Sequence, residues 1–168
     1  MALGNVKIVD SAGRSALPTW KWQTEAGATA ILAGEPVKMK VTGAAGPYVI
    51  PLADAEPVAG TTSSFVGIAA TSSTHTASAD GSIEVYIPLP GLVYECAAKT
   101  AANADTQAEI DALCGKMVPF DLTAGVYTVD AADSTGLTKG LTIIGGNPLN
   151  STLKFYIQNR CTLFGTPI

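Results

Sequence analysis

The stretch from Ser82 to Ala98 constrains this chain more than any other. Ile83, Val85 and Ile87 alternate with Glu84 and Tyr86, and Leu92, Tyr94 and Cys96 alternate with Val93 and Glu95. A period of two sends successive side chains to opposite faces of a strand, so both halves read as β-strands with one apolar face. Pro88-Leu89-Pro90-Gly91 lies between them and reads as a turn. With residues 88–91 as a hairpin loop, Ile87 opposes Leu92, Val85 opposes Tyr94 and Ile83 opposes Cys96. That pairing gathers the apolar set on one face, which is how a register is specified. The other face then carries Tyr86 against Val93 and Glu84 against Glu95. It is half apolar, which makes all four residues candidates for contact with another surface. Directly opposed carboxylates are destabilising. The expected compensation is a basic side chain from another strand or subunit.

The same grammar of short apolar runs and Gly, Pro, Ser or Thr punctuation extends from about residue 29 to the end. Strands are expected at Ala28–Ala33, Pro36–Thr42, Tyr48–Leu52, Phe65–Thr71, Met117–Leu122, Val126–Val129, Leu137–Ile144 and Thr152–Gln158. A short segment at Cys161–Phe164 closes the chain. Residues 71–81 contain no large apolar side chain and read as a surface loop ending in an Asp80-Gly81 turn. One helix interrupts the strands, near residues 105–115. Thr106 with Glu109 three positions on makes a capping box, Ile110 and Leu113 form the buried stripe, and Gly115 occupies the stop position. No βαβ alternation is present, which excludes a parallel nucleotide-binding sheet. The expected fold is mainly β: one antiparallel barrel-like domain over residues 29–168 with a single short α-helix.

Residues 1–28 read differently. They hold both tryptophans, Trp20 and Trp22, and Gly4, Gly13 and Gly27 break any periodicity. The expectation is an extended N-terminal arm with one short strand at Val6–Val9. Trp20 and Trp22 are two apart and face the same way when extended. Such rings bury either on the chain's own domain or on a neighbouring subunit, where Trp is a favoured anchor. If the arm serves assembly, deleting residues 1–22 weakens association and leaves the barrel folded.

Charge and cysteine usage exclude several functions. Net charge is −4 and only 14% of residues are charged, against 47% hydrophobic. An acidic chain offers no broad nucleic-acid surface, and so low a charge suits a subunit covered in an assembly. No apolar run reaches membrane-helix length. Met1–Asp10 shows no basic start followed by an apolar run, so folding in a cytoplasm is expected rather than secretion. Cys96, Cys114 and Cys161 have no zinc or disulfide spacing and read as small buried hydrophobes. His75 is the one imidazole, set among hydroxyls in the polar loop, and Glu84 with Glu95 is the one plausible carboxylate pair. No phosphate loop, GxSxG, HExxH or EF-hand motif occurs. These readings favour a protein that is not an enzyme and needs no cofactor or metal.

Three passages in order carry a resemblance: Ala33-Gly34-Glu35-Pro36-Val37; Phe65-Val66-Gly67-Ile68-Ala69 leading to Ala79-Asp80-Gly81-Ser82-Ile83-Glu84-Val85-Tyr86-Ile87; and Gly91-Leu92-Val93-Tyr94-Glu95. Together they resemble the small head-decoration, or cement, proteins of tailed bacteriophages. Phe120-Asp121-Leu122-Thr123, Val126-Tyr127-Thr128-Val129-Asp130 and Gly140-Leu141-Thr142-Ile143-Ile144-Gly145 look like the second half of similar capsid proteins. The resemblance implies a β-barrel or β-tulip subunit on the outer capsid surface of a virion. It implies a homotrimer whose partner is the major capsid protein and whose work is to bridge neighbouring capsid subunits. The alternative is a carbohydrate-binding or receptor-binding β module that uses Trp20, Trp22 or Tyr86 as a stacking platform.

Overall fold

A computed structural model describes residues 6–41, 48–59, 64–134 and 137–162. The fold is mainly β, built from antiparallel sheets with one α-helix among the described residues. Twelve strands are present among the described residues. In chain order they are β1 (Lys7–Asp10), β2 (Thr19–Thr24), β3 (Pro36–Met39), β4 (Val49–Pro51), β5 (Phe65–Ala69), β6 (Gly81–Tyr86), β7 (Val93–Ala97), β8 (Met117–Val118), β9 (Phe120–Thr123), β10 (Val126–Val129), β11 (Leu141–Asn147) and β12 (Thr152–Ile157). The first sheet runs β1-β7-β12-β11-β8, the second runs β2-β6-β5-β3-β4, and β9 with β10 forms a separate hairpin.

The stretch read as an arm is extended, and it is hydrogen-bonded into the domain. Its β1 is the outer strand of the first sheet and its β2 the outer strand of the second. Removing residues 1–22 therefore takes away one whole edge strand and four of the six residues of another, so that deletion strikes the fold itself.

The expected hairpin at 88–91 does not form. β6 pairs with β2 and β5, whereas β7 pairs with β1 and β12. Alternation is present in both halves, but each half feeds a different core. Ile83 and Val85 enter the smaller core, and Leu92, Tyr94 and Cys96 enter the larger one. Pro88 and Pro90 carry no N–H for a tight ladder, and the segment crosses between sheets instead. Leu89 packs against the larger core on the way, and the Ile87 N–H donates to the Pro18 carbonyl.

The strand β5 is the wall between the two cores. All five of its residues are buried. Phe65 and Ile68 face the larger core and Val66 and Ala69 the smaller one. A strict period of two would not allow residues three apart to share a face. The register slips between Val37 and Lys38, where Gly67 and Phe65 are successive partners and Val66 is the extra residue. That bulge re-aims the chain. Gly67 is required there, because a Cβ would lie 2.0 Å from the Tyr86 carbonyl oxygen.

The second sheet curls until its outer strands meet at one end. Gln23 and Tyr48 form a parallel bridge. Three contacts staple the seam: Lys40 to Glu25, the Tyr48 hydroxyl to Asp80 Oδ2 at 2.7 Å, and the Ala26 N–H to Asp80 Oδ1 at 2.8 Å. The Tyr48 hydroxyl and the Ala26 N–H together hold the Asp80 carboxyl below its usual pKa.

The helix α1 spans Gln107–Leu113, shorter than the expected 105–115. Its capping box is formed by Thr106 and Glu109, and Ile110 and Leu113 are buried. Gly115 follows with φ +82°, the left-handed stop that glycine takes without penalty.

Other expectations are adjusted. Residues 28–33 form no strand. Ile31 is instead held by Ser73, whose Oγ accepts its N–H at 3.0 Å. The strand expected from Leu137 begins at Leu141, and a 3-10 turn at Asn159–Cys161 leads into the closing segment. Thr42, Gly4 and residues 163–164 lie outside the described residues. The polar loop is surface-exposed and pinned: Ser72 accepts from Ala33, Thr71 from Glu84, and Thr74 from Ser82. Cys96 and Cys161 are buried as expected, but Cys114 is exposed at the end of the helix.

Candidate interaction surfaces

The two tryptophans share a face of β2 and have different surroundings. Trp20 opposes Val85 and Trp22 opposes Ile83, both buried. Trp22 packs against the smaller core, whereas Trp20 keeps 50% of its surface exposed. Lys21 and Gln23 alternate with them and are exposed on the other face. A half-exposed indole on an outer strand is costly to leave in water and is what an interface anchor looks like.

Glu84 and Glu95 do not face one another. Lys21 lies opposite Glu84 on β2, and the Thr19 hydroxyl donates to Glu84 at 3.4 Å. Glu95 lies between Lys7 of β1 and Lys154 of β12, and the Thr152 hydroxyl donates to it. The opposed pair that needed compensation does not form, and in register each carboxylate has a lysine of a neighbouring strand beside it. No shared carboxylate cleft results, since the two residues belong to different sheets.

Tyr86 and Val93 are also apart. Tyr86 lines a cleft of about 470 Å³ between the sheets, with Val6, Ile8, Leu17 and Ile68 among its walls. Val93 is 9% exposed and pairs with Asp10. The three proposed stacking rings therefore lie in three settings: Trp20 at an exposed edge, Trp22 against a core, and Tyr86 in the cleft. They make no common platform. His75 places Nε2 2.9 Å from the Ala28 carbonyl oxygen, a contact that ties the polar loop to the preceding segment.

The sequence reading missed two features. The first is a charge cluster. Lys99 Nζ lies 2.7 Å from Asp121 and 2.8 Å from Asp130. Burial would raise the Asp121 carboxyl, but Lys99 and the Thr123 and Thr128 hydroxyls overcome it and hold the pKa below its usual value. The ammonium joins β9, the turn after β10 and the segment after β7, which is a structural role.

The second is a groove of about 550 Å³ on the first sheet, bounded by Lys7, Glu95, Ala97, Val126 and Thr152 and reaching Asn147 and Asn150 at the β11–β12 connection. The tip of that connection is Leu149, 93% exposed. Its signal was present in the sequence: a large apolar residue inside Asn147-Pro148-Leu149-Asn150, where turns are ordinarily polar.

Among the described residues, no three His, Cys, Asp or Glu side chains are grouped to hold a metal ion, and no helix is long and apolar enough to cross a membrane. The sequence matches no protein-family profile and no curated protein.

Proposed function

We propose that this chain is a structural virion protein that decorates the outer surface of a tailed-phage capsid and bridges neighbouring major-capsid subunits. One observation supports this reading above the others: the half-exposed Trp20 on β2, an outer strand with Lys21 and Gln23 beside it. A half-exposed indole supplies apolar contact area at small entropic cost. A low charge density suits a surface covered by a lattice. Many weak copies of one contact gain strength through avidity. Partners under this reading are the major capsid protein and further copies of this chain, in a trimer.

Binding to capsid shells lacking the chain tests the proposal. The wild type binds them saturably, and Trp20→Ala, still folded by circular dichroism, weakens binding because half of the Trp20 surface is exposed. A wild type that does not bind such shells overturns the reading. Equal binding by Trp20→Ala removes the role assigned to β2.

A further inference from the structure

The outer edge of β1 is open beside a cleft. β1 has β7 on one side and no strand on the other. On that open side the Val6 N–H donates to the Gly34 carbonyl at 3.1 Å. The backbone groups of successive strand residues point to alternate sides, so the N–H and C=O of Ile8 point the same way as those of Val6. Among the described residues neither group of Ile8 has a partner there. The register shifts between Ile8 and Asp10, so regular pairing ends at Val9. The edge therefore offers one donor and one acceptor, enough for a single β-bridge.

The cleft beside Ile8 is the one of about 470 Å³ between the sheets. Its large walls are Ile8, Leu17, Ile68 and Tyr86, and the small side chains of Ala33 and Ala70 leave it room. Lys7 is its one charged lining residue, and no carboxylate among the described residues lies within ion-pair distance of that lysine. An occupant has to meet all three features. An acyl chain suits the walls but would cover the N–H and C=O of Ile8 without bonding either, which is costly. A sugar could bond them but gains little from apolar walls. An extended peptide supplies a C=O and an N–H at strand spacing and sends a side chain to one face between them, which is the mode of β-strand addition.

We infer that an extended segment of the capsid shell protein docks here. Its backbone bridges to Ile8, one apolar side chain enters the cleft, and an acidic residue beside it pairs with Lys7. The inference rests on the capsid reading for its partner and adds a site that does not include Trp20.

Hydrogen–deuterium exchange read residue by residue, on the full chain free and bound to capsid shells that lack it, gives the result. The Ile8 amide exchanges fast in the free chain and about tenfold or more slower on the shells. That measurement needs no substitution. Ala33→Arg and Ala70→Arg, at partly exposed positions, each put a long charged side chain into the cleft. Both fold by circular dichroism and bind shells about tenfold or more weakly than the wild type. A wild type that binds shells without slower exchange at Ile8, or variants that bind as well as the wild type, overturns the inference and leaves the capsid reading standing. A wild type that does not bind shells removes both. A fatty acyl chain carried by the purified wild type and lost from Ala70→Arg, by native mass spectrometry, also overturns the inference, because the cleft is then a lipid site.

Discussion

Glu84 and Glu95 give the sharpest test of the sheet assignment. A hairpin would set the two carboxylates against each other, so Gln at either position would relieve repulsion and stabilise the protein. In the structure each carboxylate has lysine as its cross-strand neighbour instead. One opposite-charge pair contributes about 0.2–1 kcal/mol. Glu84 has one such neighbour and is exposed, so Glu84→Gln costs an amount near the lower figure after screening. Glu95 has two, Lys7 and Lys154, and also accepts from Thr152. Neither lysine comes within ion-pair distance, so Glu95→Gln costs no more than one pair, about 0.2–1 kcal/mol. For a chain of this size that is a fall in melting temperature of about 0.4–4 °C. The residues belong to different sheets, so the double variant should equal the sum of the singles to within about 0.5 kcal/mol. Urea unfolding at neutral pH and low salt measures all four proteins, with midpoint and slope fitted separately. A raised midpoint at unchanged slope for either single variant refutes the reasoning. So does a coupling clearly larger than the additivity error.

Two further outcomes follow from buried groups. The Tyr127 hydroxyl donates to the Leu52 carbonyl at 2.6 Å, so Tyr127→Phe leaves a buried acceptor unmet and costs about 1–3 kcal/mol in urea unfolding. The Tyr94 hydroxyl is buried with no hydrogen-bond partner, so Tyr94→Phe is neutral or stabilising in the same assay; an equal loss at both positions contradicts the assignment. Asp121 has a depressed pKa, so its contribution to stability is present above the ordinary carboxylate range and is lost as pH falls through the depressed value. Lys99→Met leaves burial to raise that carboxyl, so the variant is less stable at neutral pH and its melting temperature falls less on acidification than the wild type's, because Asp121 no longer adds to the acid loss; identical acid profiles contradict the role of Lys99.

The parts of this fold that were legible in the sequence are those set by local chemistry. Thr106 and Glu109 fix the helix start whatever surrounds them, and the alternation in β6, β7 and β12 survives in the structure. Pairing was not legible, because alternation shows which face is buried and not against what. Ile83 and Tyr94 look alike in sequence, yet they lie in different cores. The double-sided burial of β5 depends on a bulge that no periodicity reveals. For the candidate surfaces, Trp20 stands out by residue type, and Leu149 by being apolar in a turn. The groove beside Leu149 could not be foreseen, since it joins β1, β7, β10 and β12 from distant parts of the chain.

The central claim is a structural role in a capsid. Quantitative mass spectrometry of purified virions from the source culture tests it most directly, with this chain scaled to the major shell protein. The account predicts an abundance comparable with the shell protein itself. Absence from the particle contradicts it.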